Sequence, residues 1–133
     1  MVTGRESFRK PEKLCSKKII SSLIEEGDAF FLPLFKVIYL KNPVQLPSPA
    51  QVAFSVSKKG FRNAVTRNLL KRRMREAYRK NKYQLYNRLK ETGATMAFII
   101  VYRQNIVSGY TEIEKAMVEI IERLAVIASK KDK

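Results

Sequence analysis

The sequence has no histidine and no tryptophan, a single cysteine, five glycines and only 12 acidic residues. Without histidine, both the commonest acid–base catalyst and the commonest metal ligand are missing. The lone Cys15 excludes a disulfide within the chain and any cysteine-based zinc site. Its thiol is expected to serve as a small buried or partly buried apolar residue. The longest apolar run, residues 96–102, is far too short to span a bilayer. The first ten residues carry charge and no apolar stretch, so they do not read as a secretory signal. A cytoplasmic chain is the expectation, with no membrane partner and neither cofactor nor metal held by the protein itself.

What the sequence does have is positive charge. In 133 residues, 27 Lys and Arg stand against the 12 acids, for a net +15. So large an excess repels itself in the compact state, and a polyanionic partner offsets that repulsion. With 45% hydrophobic residues the chain can still build a core, and its length suits one domain spanning residues 1–133. Nucleic acid is the favoured partner class.

Residues 1–11 read as a basic, loosely ordered arm. Ser16 can cap a helix running to about Glu26, with Ile19, Ile20, Leu23 and Ile24 at helical spacing and Gly27 as the stop. Around residues 34–40, Phe35, Val37 and Tyr39 would face one way and Lys36, Ile38 and Leu40 the other. Residues 41–50 hold three prolines and read as a loop, with room for an extra short strand. A second strand over 51–57 points Val52, Phe54 and Val56 inward. One long helix is predicted from about Asn63 to Leu89. The nearly all-apolar residues 95–102 form a strand covered on both faces. A last helix starts at Thr111 with Glu114 completing a capping box, and residues 129–133 fray. This order predicts a one-domain α/β sandwich, a mixed sheet packed by helices.

Between residues 58 and 82 lie eleven basic side chains opposed only by Glu76, so two thirds of the net charge occupies a fifth of the chain. At about 100° per residue, Leu70, Met74, Ala77, Tyr78 and Leu85 share an arc that can pack on the sheet. Asn68, Lys71, Arg72, Arg75, Arg79 and Lys82 share an adjacent arc. A helix stabilised for its own sake would pair its charges four residues apart, and this one has almost no acids to pair with. The stripe therefore reads as a rigid phosphate-binding strip, with affinity that comes from counterion release and from guanidinium groups that grip phosphates or stack on bases.

The run Phe54-Ser55-Val56-Ser57-Lys58-Lys59, followed by Asn63-Ala64-Val65-Thr66-Arg67-Asn68-Leu69-Leu70-Lys71-Arg72-Arg73-Met74-Arg75-Glu76, resembles the signature of the bacterial ribonuclease P protein family. Arg67, Asn68, Lys71, Arg72, Arg75 and Glu76 match its spacing. Three departures stand out. Leu69 replaces the usual second arginine, a contact that Arg73 could supply. The Gly60-Phe61-Arg62 loop is one residue longer than the commonest form, and Ile20 and Ile24 stand where relatives often carry aromatics. The resemblance implies the fold named after domain 2 of ribosomal protein S5, with a left-handed βαβ crossover. It further implies a non-catalytic protein, one per RNA, bound to ribonuclease P RNA, which holds the Mg2+ ions and cleaves the 5′ leader from precursor tRNA. The implied RNA-subunit contacts are Lys58, Lys59, Arg62, Arg67, Asn68, Lys71, Arg72, Arg75 and Arg79. A cleft between the first helix and the sheet would take the single-stranded leader, with Ile20, Ile24, Phe35 and Tyr39 as its candidate lining. For Phe35 and Tyr39, a plain core role competes with this one.

Two other readings compete. A DNA-binding helix-turn-helix would need a short helix and a tight turn before the basic helix, where the sequence instead reads as strand. A structural RNA-binding protein of the ribosomal type shares fold and charge, and is separated by the Arg67-Asn68 pattern after Ser57-Lys58-Lys59. A self-sufficient nuclease finds no support, because the acids fall in helical, capping or turn contexts.

Overall fold

The computed structural model describes residues 8–43 and 46–130. The N-terminal arm expected over residues 1–11 and the tail expected over 129–133 therefore lie largely outside the described residues. Helix α1 (Lys17–Glu26) begins as the sequence predicts: the Ser16 hydroxyl accepts the Ile19 N–H at 3.2 Å. At its other end Gly27 is required by close approach. A Cβ there would stand 2.5 Å from the Leu23 carbonyl oxygen and 3.0 Å from that of Tyr39.

Four strands follow: β1 (Asp28–Phe31), β2 (Phe35–Lys41), β3 (Ala50–Val56) and β4 (Met96–Tyr102). They form one mixed sheet in the order β1-β2-β4-β3, with β3 and β4 parallel and the other pairs antiparallel. The extra strand is thus β1, a hairpin partner of β2, and not a strand in the Pro-rich loop. Asp28, Ala29, Phe30 and Phe31 pair with Tyr39, Ile38, Val37 and Lys36. Such a short segment on the sheet edge has little periodicity of its own.

Between the parallel strands runs the helical crossover. The predicted single helix is divided into α2 (Ala64–Asn81) and α3 (Tyr83–Thr92), which meet at Lys82. Gly93, at φ +70°, takes the left-handed position that closes α3. The last helix, α4 (Tyr110–Ser129), starts one residue earlier than predicted. Gly109 is its N-cap, and the Glu112 carboxylate accepts the Gly109 N–H at 3.4 Å.

The sheet divides the interior in two. Phe35, Val37, Val52, Val56, Phe98 and Ile100 point to the main core under α2, α3 and α4, where they meet Leu70, Met74, Tyr78, Ile113, Met117 and Leu124. The opposite face carries a small cluster, in which Ile19, Leu23 and Leu14 cover Ala97 beside Ile38, Leu40 and Ile99. The result is the predicted sandwich, three layers deep. Cys15 is exposed, not buried: it sits between buried Leu14 and the cap Ser16, where the chain turns away from β3.

Candidate nucleic-acid interface

Asn63 starts the basic helix, its side-chain oxygen accepting the Val65 N–H at 2.8 Å. The residues before it form a turn in which Ser57 Oγ accepts the Lys59 N–H at 3.0 Å and the Ser57 carbonyl accepts the Phe61 N–H at 3.1 Å. Lys58, Lys59 and Arg62 are thereby held out into solvent on a fixed loop. On α2 itself Asn68, Arg72 and Arg75 are exposed and Lys71 is half-buried. Buried Leu70, Met74, Ala77 and Tyr78 anchor the other side of the helix, so packing fixes the direction in which the cations point.

Among the described residues, Lys71, Arg72 and Arg75 form neither ion pair nor side-chain hydrogen bond. The other basic residues of α2 are engaged within the fold, Lys80 by Glu76 at 4.0 Å. Arg67 donates to the carbonyl oxygens of Phe61 (2.7 Å) and Arg62 (2.9 Å), tying the loop to the helix. Arg79 forks onto Glu76, with contacts of 3.0 and 2.6 Å, and holds that carboxyl below the ordinary glutamate range. Arg73 donates to the Ser108 carbonyl at 2.7 Å, in the loop before α4.

Lys82 departs most from the sequence reading. It is only 2% exposed, so it does not belong to the outward stripe. Its ammonium lies 2.5 Å from the Glu12 carboxylate, which also accepts the Tyr86 hydroxyl at 2.6 Å. The Tyr78 hydroxyl then donates to that of Tyr86 at 3.0 Å. Burial by itself would raise the Glu12 carboxyl, but the donors from Lys82, Tyr86 and the Arg9 N–H outweigh it and hold the group below its ordinary value. Burial pushes both phenols well above the ordinary tyrosine range. A helical projection places Lys82 near the solvent boundary. The carboxylate of a segment 70 residues earlier draws it inward.

The four residues expected to line the cleft are not brought together. Ile20 and Ile24 belong to α1, on one side of the sheet; Ile20 packs in the small cluster and Ile24 is 70% exposed. Phe35 and Tyr39 point to the opposite side. Phe35 is fully buried against Tyr102, and Tyr39 packs on the main core beside Phe30. Strand alternation is the reason: Lys36, Ile38 and Leu40 face α1, so their odd-numbered neighbours cannot. Phe35 and Tyr39 therefore lie outside the cleft between α1 and the sheet.

The aromatic that does share the α1 face is Phe31, which pairs with Lys36 in the register and is 53% exposed. Lys36 Nζ lies 5.5 Å from its ring centroid and the Arg103 guanidinium carbon 4.9 Å. Arg103 is braced by donation to the Leu32 carbonyl at 2.6 Å, while its N–H bonds the Leu34 carbonyl at 2.8 Å. Sequence reasoning missed this group because it left residues 28–31 outside any strand. Read as the hairpin partner of β2 with Phe31 opposite Lys36, the Phe30-Phe31 pair puts Phe31 on the Lys36 face and Phe30 on the other.

The acids show no comparable convergence. Among the described residues, Glu12, Glu76, Glu91 and Glu119 are each paired with a cation, and no three His, Cys, Asp or Glu side chains are placed to hold a metal ion.

Comparison with known proteins agrees with the pattern of residues. The family profile described as Ribonuclease P matches residues 8–125. The ribonuclease P protein component of Porphyromonas gingivalis strain ATCC 33277 is 36% identical over 118 residues, covering 87% of this chain and 85% of that protein. That of Chlorobium phaeobacteroides is 46% identical over 83 residues, 60% of this chain and 57% of the relative. Among solved structures, the RNase P protein of Staphylococcus aureus superposes with a TM-score of 0.65 at 22% identity, covering 86% of this chain and 94% of that one. The protein from Thermotoga maritima gives 0.58 at 21%, covering 92% and 99%. A profile match over nearly the whole described chain and a 36% identical relative of similar length, on the same sandwich fold, place this chain in the ribonuclease P protein family.

Proposed function

We propose that this chain is the protein subunit of a bacterial ribonuclease P. In this reading it binds a catalytic RNA through the α2 strip and the single-stranded 5′ leader of precursor tRNA along the α1 face of the sheet. The observation that carries it is the set Lys71, Arg72 and Arg75, rigidly presented without an anionic partner among the described residues. Lys58, Lys59 and Arg62 extend the same surface over the preceding loop. Each such cation near a phosphate releases condensed counterions, so affinity is electrostatic and falls with salt. On the other side, Phe31 with Lys36 and Arg103 offers a stacking ring flanked by phosphate-binding groups, which suits a single strand of any sequence. The aliphatic Ile20 and Ile24 supply apolar contact from α1. The protein's part is to assemble with the RNA and position the leader, and the RNA supplies the Mg2+ ions and the cleavage.

The test is a reconstitution at low magnesium with a bacterial ribonuclease P RNA and a precursor tRNA carrying a 5′ leader. Cleavage that depends on adding the protein, while protein alone stays inert, is the expected result. A folded protein that gives no stimulation with its cognate RNA would overturn the assignment in favour of a structural RNA-binding role.

A further inference from the structure

A cleft of about 240 Å³ opens between the N-terminal segment, the edge of β3 and the flank of α2. Its wall is apolar, made by Phe8, Phe54 and Leu14, and its rim is cationic, made by Lys13, Lys71 and Arg75. The aromatic wall is held in place from behind. Phe8 stands edge-on to Phe54 at 5.9 Å, and both rings meet the fully buried Tyr78 at 5.8 Å. The N-terminal side is fixed as well: the Leu14 N–H donates to the Val52 carbonyl at 3.0 Å and Gln51 donates to that of Pro11 at 2.9 Å. Among the described residues, no acidic one lines the cleft. Among the described residues none of its three cations has an ion pair, and the Lys13 ammonium contacts only the Phe8 ring, at 6.0 Å.

We infer that this cleft binds one nucleotide of a single-stranded RNA segment, its base against Phe8 and Phe54 and its phosphate on Lys13, Lys71 and Arg75. The division of the lining is the reason. A nucleotide within a strand has one flat base that stacks on aromatic rings and one monoanionic phosphodiester that seeks cations. The volume is below the roughly 300–1,000 Å³ of sites that enclose a drug-sized ligand, which suits a single unit of a strand that enters and leaves by the open sides. Position supports the same ligand. Lys71 and Arg75 belong also to the α2 strip, and Ala53 of the small cluster borders the cleft. The cleft therefore adjoins the α2 strip that the proposed function gives to the RNA subunit, at the sheet edge opposite Phe31, and the inference rests on that reading. Lys13 and Phe8 are its new members.

The experiment uses Lys13→Ala and Phe8→Leu in the full chain, with two arms. One measures the Kd for ribonuclease P RNA; the other measures the Kd of assembled holoenzyme for precursor tRNA with and without its leader. Both are run as a function of salt. Lys13→Ala is expected to weaken one arm about fivefold and to lower its log–log salt slope by about 0.7, the single-strand value for one phosphate. Phe8→Leu is expected to weaken the same arm about tenfold at unchanged slope, since stacking releases no counterion. Loss confined to leader-bearing substrate assigns the nucleotide to the leader, and loss confined to assembly assigns it to the RNA subunit. If wild type binds both RNAs while both variants stay within twofold in both arms, the cleft is not a nucleotide site. If wild type fails to bind ribonuclease P RNA at all, the functional reading itself falls. Should Phe8→Leu lower the melting temperature, exposed Lys13→Ala carries the test.

Discussion

Residues 58–82 contain two populations of cations with opposite uses. Lys71, Arg72 and Arg75 point outward with no partner among the described residues. Arg67, Arg73 and Lys82, in the same helical run, are turned onto carbonyl oxygens or a carboxylate of the fold itself. The difference teaches that a run of positive charge is not uniformly an interface. Part of it holds the loop, α4 and the N-terminal segment in place around the helix, and that fixed frame keeps the remaining cations aimed at a common direction. A strip of this kind has little backbone freedom left to lose on meeting a polyanion, because the helix carrying it is already packed; its long side chains carry the remaining ordering cost.

The comparison breaks hardest at the buried pair. Glu12→Ala removes the carboxylate that Lys82 and Tyr86 share, at a site where the lysine side chain is only 3% exposed, and removing one partner of a buried pair costs about 3–5 kcal/mol. Urea melts should show that loss, a large share of the roughly 5–15 kcal/mol of a typical domain. The wild-type pair also sets a pH profile. The Glu12 carboxyl is lowered in the folded state from the ordinary value of 4.5, so its stabilisation is complete above that value and is lost as pH falls through the lower folded one. The acid limb of the stability curve should flatten in Glu12→Ala; an unchanged limb would show that the pair does not set it.

A smaller effect, of the opposite kind, is expected from the outward set. Arg72→Ala with Arg75→Ala should leave the melting temperature unchanged, because exposed positions of this type fall within about 0.5 kcal/mol. The same double change should raise the Kd for ribonuclease P RNA about tenfold or more and lower the salt slope by about 2. Arg67→Ala is less clean than the sequence suggests, since it frees the Phe61 and Arg62 carbonyls and so alters the loop as well as the charge. The smallest effect should come from Leu69→Arg, which restores the arginine of the resembled motif. Leu69 lies on α2, away from the main stripe in helical projection, and is half-buried, so an arginine that reaches the RNA from there is expected to steepen the salt slope by about 1 with little change in stability. No gain in slope would mean that this position does not reach the RNA.

Much of this was legible beforehand. The Ser16 cap, the alternation of β2 and β3, the apolar β4 and the inward stripe Leu70-Met74-Ala77-Tyr78 all follow from local pattern and appear where expected. The misses share a cause. Strand β1 is four residues long and exists through its pairing with β2, which no local signal announces. Phe35 and Tyr39 were placed on the correct strand and on a common face, but which face meets α1 depends on where that helix docks. Residue type alone predicts a buried or partly buried Cys15, and the path of the chain between Leu14 and Ser16 puts it outside.

By itself, then, the sequence determined the concentration of positive charge, the central motif, the order of elements and the side on which each amphipathic element is apolar, because these depend on composition and on spacings of two to four residues. Only the tertiary structure decided which cations remain available and which aromatics face the open side of the sheet. Glu12 and Lys82 are 70 residues apart, and Arg73 and Ser108 are 35 apart. A side chain's freedom to bind RNA depends on whether such a distant group has already claimed it, and that is settled only when the layers pack.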